Sequence, residues 1–288
     1  MRDTEKFLVN GNEKIKIKDF PTVPYENISK EEALLKTRDN LEKMAEYQDK
    51  LYAEGKEGIV FIFQAMDAAG KDSVIKNVMG GLNPQGITVH SFKSPNSEEL
   101  SHDFMWRAIR RFPARGYIAI FNRSYYEDVL IVKVHKLYKN YNMPARCKGD
   151  DIIKTRYEDI SAFEKYAYNN GYRVIKFFLN VSKEKQKERF LERIDMKMKN
   201  WKFNSADVKE RMHWDEYMEA YEDAINATAT KESPWYIIPA DKKWYTRYLV
   251  SEAIIDVFEK ISPKYPTLPE SEQAKLADER EKLMNEDF

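Results

Sequence analysis

The chain has 288 residues, enough to bury the core of one large domain or two small ones. Its 48 basic and 48 acidic residues cancel, which excludes a global attraction to nucleic acid or to membranes and requires any anion site to be local. A lone cysteine (Cys147), the lack of a signal-peptide core, and no apolar run near the roughly 18 residues of a membrane span together predict a cytoplasmic protein without disulfides.

Short apolar runs alternate with helical periodicities along the chain, the pattern of a parallel-sheet α/β fold. Residues 1–28 show no period and are predicted to form an extended arm. The predicted strands are 59–64, 87–92, 117–121, 173–179 and 235–239. The predicted helices are 29–54, 71–79, 97–112, 151–170, 182–199, 206–228 and 242–260. Residues 129–138 are predicted to be semi-regular and residues 141–149 to form a loop. The acidic tail 266–288 is predicted to be a solvated helix or partly disordered, which leaves one folded domain over 29–265.

The most informative stretch joins the first predicted strand to the second predicted helix. Residues 61–73 run from an apolar segment through the small residues Ala68, Ala69 and Gly70 to Lys71 at the helix start. In such a turn the backbone N–H groups and the helix N-terminus face an anion, and the lysine adds a positive charge. The stretch therefore predicts a phosphate cradle.

The match to the P-loop pattern G-x-x-x-x-G-K-[ST] is only partial. Ala65 stands in place of the first glycine, Asp72 in place of the serine or threonine, and Ser73 comes one position late. Asp67 also places a carboxylate inside the loop, which a simple cradle does not require. On this pattern alone, phosphate binding and a plain helix entry after a buried strand both remain open.

A second candidate segment follows the third predicted strand, at the edge where ligands bind in an open parallel sheet. Here a P-loop enzyme usually has an aspartate that holds Mg²⁺, but this chain has Asn122, followed by Arg123, Glu127 and Asp128. A metal that bridges phosphates needs a carboxylate, and Asp67 and Glu127 are the nearest candidates. The alternative is that Asn122 caps the next helix and that the two acids only occupy its first turn.

The third candidate is the basic helix and its continuation over 182–202, with eight basic and four acidic residues ending at Lys202. Such helices are usually solvated faces with i,i+4 ion pairs. However, Arg189 and Arg193 lie four residues apart on one face, and arginine can fork onto phosphate oxygens. A basic lid over about 182–215 that closes on a phosphate site is the functional alternative.

Taken together, these segments resemble the family-2 polyphosphate kinases, in the family's order and between about 64 and 245. The shared segments are 64–72 (QAMDAAGKD), 81–86 (GLNPQG), 99–107 (ELSHDFMWR), 121–130 (FNRSYYEDVL), 176–179 (KFFL), 201–203 (WKF) and 234–239 (PWYIIP). The loop ending in Gly-Lys-Asp is usual for that family. Asn122 with Glu127 resembles its third subclass, whose members phosphorylate nucleoside monophosphates as well as diphosphates.

The resemblance implies a thymidylate-kinase-like P-loop kinase fold, a three-layer α/β/α parallel sheet with a helical lid. It also implies transfer of the terminal phosphoryl group of polyphosphate to AMP and ADP, with GMP and GDP as further candidates, reversibly and with Mg²⁺ or Mn²⁺. Dimers or tetramers are expected, without nucleic acid or membrane partners. The implied catalytic residues are Asp67, Lys71, Arg123 and Arg193; the phosphate- or substrate-binding residues are Ala68, Ala69, Gly70, Asp72, Ser73, Arg189, Lys202 and Glu127; the metal ligands are Asp67, Asn122 and Glu127.

Two other functions compete with this one. An ordinary nucleotide kinase with ATP as donor would use much the same cradle. A nucleic-acid-binding module is disfavoured, because the basic helix lacks interleaved aromatic residues and the chain has no net positive charge.

Overall fold

The centre of the fold is a β-sheet, in a computed structural model that describes residues 3–25 and 28–285. The strands in this part of the chain are β1 (Leu8–Val9), β2 (Gly58–Gln64), β3 (Ile87–Ser91), β4 (Ile118–Asn122), β5 (Tyr172–Asn180) and β6 (Trp235–Pro239). Their order is β1-β6-β5-β2-β4-β3, and neighbours are parallel except β1, which pairs antiparallel with β6. The five predicted strands are confirmed. Because β2 to β6 are parallel, their carboxyl ends share one edge, where the loops that follow them meet.

Helices cover both faces of the sheet. They are α1 (Lys30–Glu54), α2 (Lys71–Met79), α3 (Ser97–Ser101), α4 (Trp106–Ile109), α5 (Ile131–Val134), α6 (Ile152–Asn169), α7 (Lys183–Asp195), α8 (Ser205–Glu210), α9 (Trp214–Thr228), α10 (Lys243–Ile261) and α11 (Glu270–Asn285). α10 packs against both α1 and α2, and α6 packs against α9 and β5. Within the described ranges, every helix is too short or too polar to cross a bilayer.

The central strands are buried on both faces. On β5, Lys176 and Phe178 contact residues of α6 and α9, whereas Phe177 between them stacks on Phe63 and Tyr236 at the opposite face. This alternation is the two-residue period of a β-strand. The sheet therefore lies between two helical layers, as a three-layer α/β/α fold requires.

Two predicted long helices are interrupted. The one over 97–112 splits into α3 and α4, because the Asp103 carboxylate accepts from the backbone N–H groups of Met105 and Trp106 and turns the chain between them. The one over 206–228 splits into α8 and α9, joined by the 3₁₀ turn Arg211–His213. Both interruptions come from local hydrogen bonding that apolar spacing does not reveal.

The predicted basic helix ends earlier than expected. α7 stops at Asp195, and a 3₁₀ segment, Lys197–Lys202, continues the basic stretch. The Asn200 amide donates to the carbonyls of Arg193 and Ile194, which satisfies the open end of α7. The predicted lid is thus a series of short helices.

The prediction of an extended N-terminal arm is wrong for the residues that the structure describes. Residues 3–25 include a 3₁₀ helix (Asp3–Phe7), the edge strand β1 and a second 3₁₀ turn, and they bury Phe7, Val9 and Ile17 in the core. These apolar side chains are too widely spaced to show a period but are sufficient to anchor the arm. Residues 1–2 and 26–27 of the predicted arm lie outside the described residues.

The acidic tail contains α11, which has no buried residue and matches the solvated-helix alternative. Residues 286–288 lie outside the described part of the chain. The division into arm, single domain and tail stays a prediction.

Candidate active site

The loop after β2 forms the predicted cradle. Ala68 and Gly70 both adopt left-handed φ values, 58° and 111°, so the chain turns tightly into α2. The Lys71 ammonium donates to the carbonyl of Ala65 at 2.7 Å and closes the loop from inside. Burial, and next the charge of Arg123, lower the pKa of Lys71 to about 8. An anion in the cradle would raise this pKa again, because a nearby opposite charge favours the ionised form.

Arg189 of α7 holds the outer side of this loop. Its Nη1 donates to the carbonyls of Ala68 at 3.0 Å and Ala69 at 2.6 Å, and its Nη2 to Ala240 at 2.7 Å, after β6. Arg189, which was predicted to bind phosphate, therefore donates most of its hydrogen bonds to backbone carbonyls. In this arrangement Arg189 is a clasp between the cradle and the β6 edge, and phosphate binding by it stays a prediction.

The segment after β4 faces the cradle, as predicted. The Arg123 Nη2 lies 2.7 Å from Asp67 Oδ1, and the Asn122 amide donates to Asp72 at 2.7 Å. Burial lowers the pKa of Arg123, but the carboxylates of Glu127 and Asp67 raise it by more than burial lowers it. The net pKa is above the usual value, so the guanidinium stays charged. Both acidic residues that depart from the P-loop pattern thus have a partner from the end of β4.

Glu127 lies behind Arg123 rather than in the cavity. Its Oε2 is 3.8 Å from Arg123 Nη1, and the Gln64 amide, oriented to satisfy both of its ends, donates to Oε1 at 2.9 Å. Burial raises the pKa of Glu127, against the lowering effect of Arg123 and Lys71. The geometry places this carboxylate to orient Arg123, and its role as a metal or acceptor ligand stays a prediction.

A cavity of about 580 Å³ opens between the cradle, the end of β4 and the lid. Every predicted site residue except Glu127 lines it. Its cationic side chains in the described ranges are Lys71, Lys93, Arg123, Arg189, Arg193, Lys199, Lys202 and Lys243, against the acids Asp67, Asp72 and Glu192. Although the net charge of the chain is zero, the cavity therefore has a cationic surface that suits a polyanion.

The sequence motifs did not identify two of these cationic residues as part of the site. Lys93 follows β3 and Lys243 begins α10 after β6, and neither belongs to a motif. The available signal was their place after the carboxyl ends of parallel strands, the same rule that located Asn122.

The carboxylates near the cradle suit a metal held mainly by substrate. Within residues 3–25 and 28–285, no group of three or more His, Cys, Asp or Glu side chains could enclose an ion. Mg²⁺ in kinase sites usually takes one or two carboxylates plus phosphate oxygens and waters. Asp67, with the amide oxygen of Asn122, fits that requirement, because the Asn122 nitrogen is already used on Asp72.

A second cavity, of about 400 Å³, was not predicted. It starts at Pro95, next to Ser94 of the first cavity, and reaches the loop before α6. The Arg156 guanidinium lies 4.9 Å from the ring centre of Phe104 and 5.7 Å from that of Tyr141. The two cavities therefore adjoin, one cationic and one with aromatic walls.

A parallel sheet with a lysine-closed cradle after one strand, an arginine after its neighbour and a cation-lined cavity between them defines a P-loop-type phosphotransferase. The family model described as polyphosphate kinase 2 (PPK2) matches residues 27–266. The chain belongs to the polyphosphate kinase 2 family. This confirms the predicted family, enzyme class and P-loop kinase fold.

Two relatives and one solved structure are similar to this chain over most of its length. An ADP-polyphosphate phosphotransferase from Rhodopseudomonas palustris is 43% identical over 98% of each chain. An AMP/ADP-polyphosphate phosphotransferase from Meiothermus ruber is 42% identical over 85% of this chain and 86% of its own. The crystal structure of polyphosphate kinase 2 from Arthrobacter aurescens TC1 has a TM-score of 0.83 and 34% identity, covering 95% of this chain and 96% of that one.

Proposed function

We propose that this protein transfers the terminal phosphoryl group of inorganic polyphosphate to AMP and ADP, reversibly and with Mg²⁺, which Mn²⁺ can replace. The observation that carries this is the cavity beside the cradle, where cationic side chains outnumber acidic ones although the chain is neutral. A row of cations longer than the cradle itself suits a donor with many phosphates. The names of the Rhodopseudomonas and Meiothermus relatives support the same donor and acceptors.

The donor's last phosphates would lie in the cradle. Lys71 and the loop N–H groups would hold them, and Lys93 and Lys243 would bind phosphates further along the chain. In phosphoryl transfer, charge spreads over the equatorial oxygens, so catalysis is mostly positioning and neutralisation. Arg123 and Arg193, which also line the cavity, would stabilise the group in transit.

The acceptor nucleoside would occupy the second cavity. Its aromatic walls at Phe104 and Tyr141 suit a base, and its carboxylates at Asp103 and Asp128 suit ribose or amino groups. The acceptor phosphate would then extend past Pro95 and Ser94 toward Arg123. In-line transfer would require donor and acceptor to approach the transferred group from opposite sides.

A divalent cation is expected beside the cradle. Asp67 and Asn122 would hold it, and it would supply neutralisation of the developing charge. Guanine nucleotides are further candidate acceptors. We also propose a homo-oligomer, a dimer or tetramer, acting in the cytoplasm without nucleic acid.

The direct test incubates the purified protein with long-chain polyphosphate, Mg²⁺ and either AMP or ADP, and follows ADP and ATP formation. Both products should appear with polyphosphate and disappear when EDTA removes the metal. ATP-dependent phosphorylation of a nucleotide with no polyphosphate-dependent product would overturn the proposal in favour of an ordinary nucleotide kinase.

A further inference from the structure

A fully buried ion pair lies beneath the segment that carries Arg123. Glu164 of α6 and Lys176 of β5 are 1% and 0% exposed. The Glu164 Oε2 accepts from Lys176 Nζ and from Ser233 Oγ, and its Oε1 accepts from the hydroxyls of Tyr125 at 2.8 Å and Tyr126 at 2.9 Å. One carboxylate thus satisfies four donors.

The two tyrosines connect this pair to the active site. They follow Arg123 and Ser124 directly in the chain, inside the 3₁₀ turn Tyr125–Val129. Burial, and next the Glu164 charge, raise the pKa of both hydroxyls well above the usual value, so both remain donors. Two consecutive residues of the segment are therefore tied to one fixed acceptor.

Stability alone does not account for such a pair. A buried ion pair is often no more stabilising than apolar side chains of the same volume, because desolvation offsets the attraction. Arg123, in contrast, has φ 63°, a left-handed conformation that a non-glycine residue keeps only where its surroundings impose it. The backbone after Arg123 is where the Glu164 hydrogen bonds act.

We infer that Glu164 is a positioning residue for the phosphoryl-transfer reaction: through Tyr125 and Tyr126 it fixes the backbone that aims Arg123 at Asp67 and the cavity. Lys176 and Ser233 hold the other oxygen of the same carboxylate in the core. This inference rests on the proposed action of Arg123 on the transferred group.

The test removes the hydroxyl links and leaves the ion pair intact. The double variant Tyr125→Phe/Tyr126→Phe should lower kcat by about 10- to 100-fold, as expected when a catalytic group is displaced by a fraction of an ångström to an ångström, with each KM within about 3-fold. The matched control is Tyr248→Phe, which loses a buried hydroxyl bond of 2.8 Å to Asp3 in the N-terminal arm. It should keep the wild-type kcat. A double variant that melts lower yet keeps full kcat at 25 °C would overturn the inference.

A double-mutant cycle separates positioning from general weakening. In an Arg123→Lys background, the two tyrosine substitutions should reduce kcat by less than about 2-fold, because they act through the missing guanidinium. Additive losses would overturn the inference. Wild-type turnover from polyphosphate, measured in parallel, tests the proposed function separately: an active wild type with unaffected tyrosine variants refutes only the role of Glu164.

Discussion

Arg189 could act at this site as a phosphate ligand or as a clasp for the cradle, and a single substitution distinguishes the two roles. Its guanidinium spans two loops, reaching Ala68 and Ala69 on one side and Ala240 on the other. Arg189→Lys keeps the positive charge, but one ammonium group cannot span both loops. We therefore expect Arg189→Lys to resemble Arg189→Ala more than the wild type.

The expected loss follows from the geometry. Three hydrogen bonds from Arg189 are 3.0 Å or shorter, and at about 1.5 kcal/mol each for a charged donor their complete loss would cost about 4–5 kcal/mol. Water from the open cavity can replace some of them, which leaves about 2–3 kcal/mol. For a chain of 288 residues that corresponds to a fall in Tm of about 3–5 °C.

The assay compares Tm, the KM for polyphosphate and its salt dependence in Arg189→Lys and Arg193→Lys. Arg193 is the matched control, because it pairs with Asp207 at 3.0 Å within the lid and is about one fifth exposed. Its substitution should change stability by less than about 1 kcal/mol. If Arg189→Lys keeps the wild-type Tm and loses only affinity for polyphosphate, then Arg189 is a phosphate ligand and the clasp is wrong.

Three further predictions concern charge at the site. The pKa of Lys71 in the free enzyme is about 8, so its positive charge is lost as pH rises through that value. The kcat/KM for polyphosphate should therefore fall above pH 8, whereas kcat, which reports the substrate-bound enzyme, should fall less. Parallel pH profiles of the two constants would contradict this prediction. Lys93→Ala and Lys243→Ala should each raise the KM for long-chain polyphosphate several-fold and reduce the salt slope by about 1, whereas Lys260→Ala, paired with Asp256 on α10, should change neither. Glu127→Gln should lower turnover on AMP and ADP alike, since the carboxylate lies behind Arg123. A loss confined to AMP would instead support the predicted role of Glu127 in binding the acceptor.

The parts of the site predictable from sequence are those encoded locally. The small residues before Lys71 predict a tight turn, and strand and helix periods on either side place that turn at the sheet edge. The position of Asn122 and Arg123 follows from the rule for parallel strands. These predictions need only neighbouring residues and the sheet's direction.

The parts that could not be predicted depend on which donors and surfaces are already occupied. Their spacing in the sequence shows that Arg189 and Arg193 share a helix face. It does not show that Arg189 already donates its hydrogen bonds to backbone carbonyls. The second cavity has walls from segments about 40 residues apart, 95–107 and 141–159, and local sequence patterns do not show that these segments meet. Lys93 and Lys243, in contrast, belong to no motif but follow the carboxyl ends of two parallel strands, so the strand rule alone indicates their place at this edge of the sheet.

The departures from the P-loop pattern form a connected set. Asp67 pairs with Arg123, Asp72 accepts from Asn122, and the late Ser73 accepts from Arg247 of α10 at 3.1 Å. A serine at the usual position would hold a metal, whereas here an acid at that position binds the end of β4 instead. The cradle and the segment after β4 therefore depend on each other. A single substitution toward the common P-loop sequence at Asp72 should impair the site rather than repair it, because Asn122 would lose its acceptor.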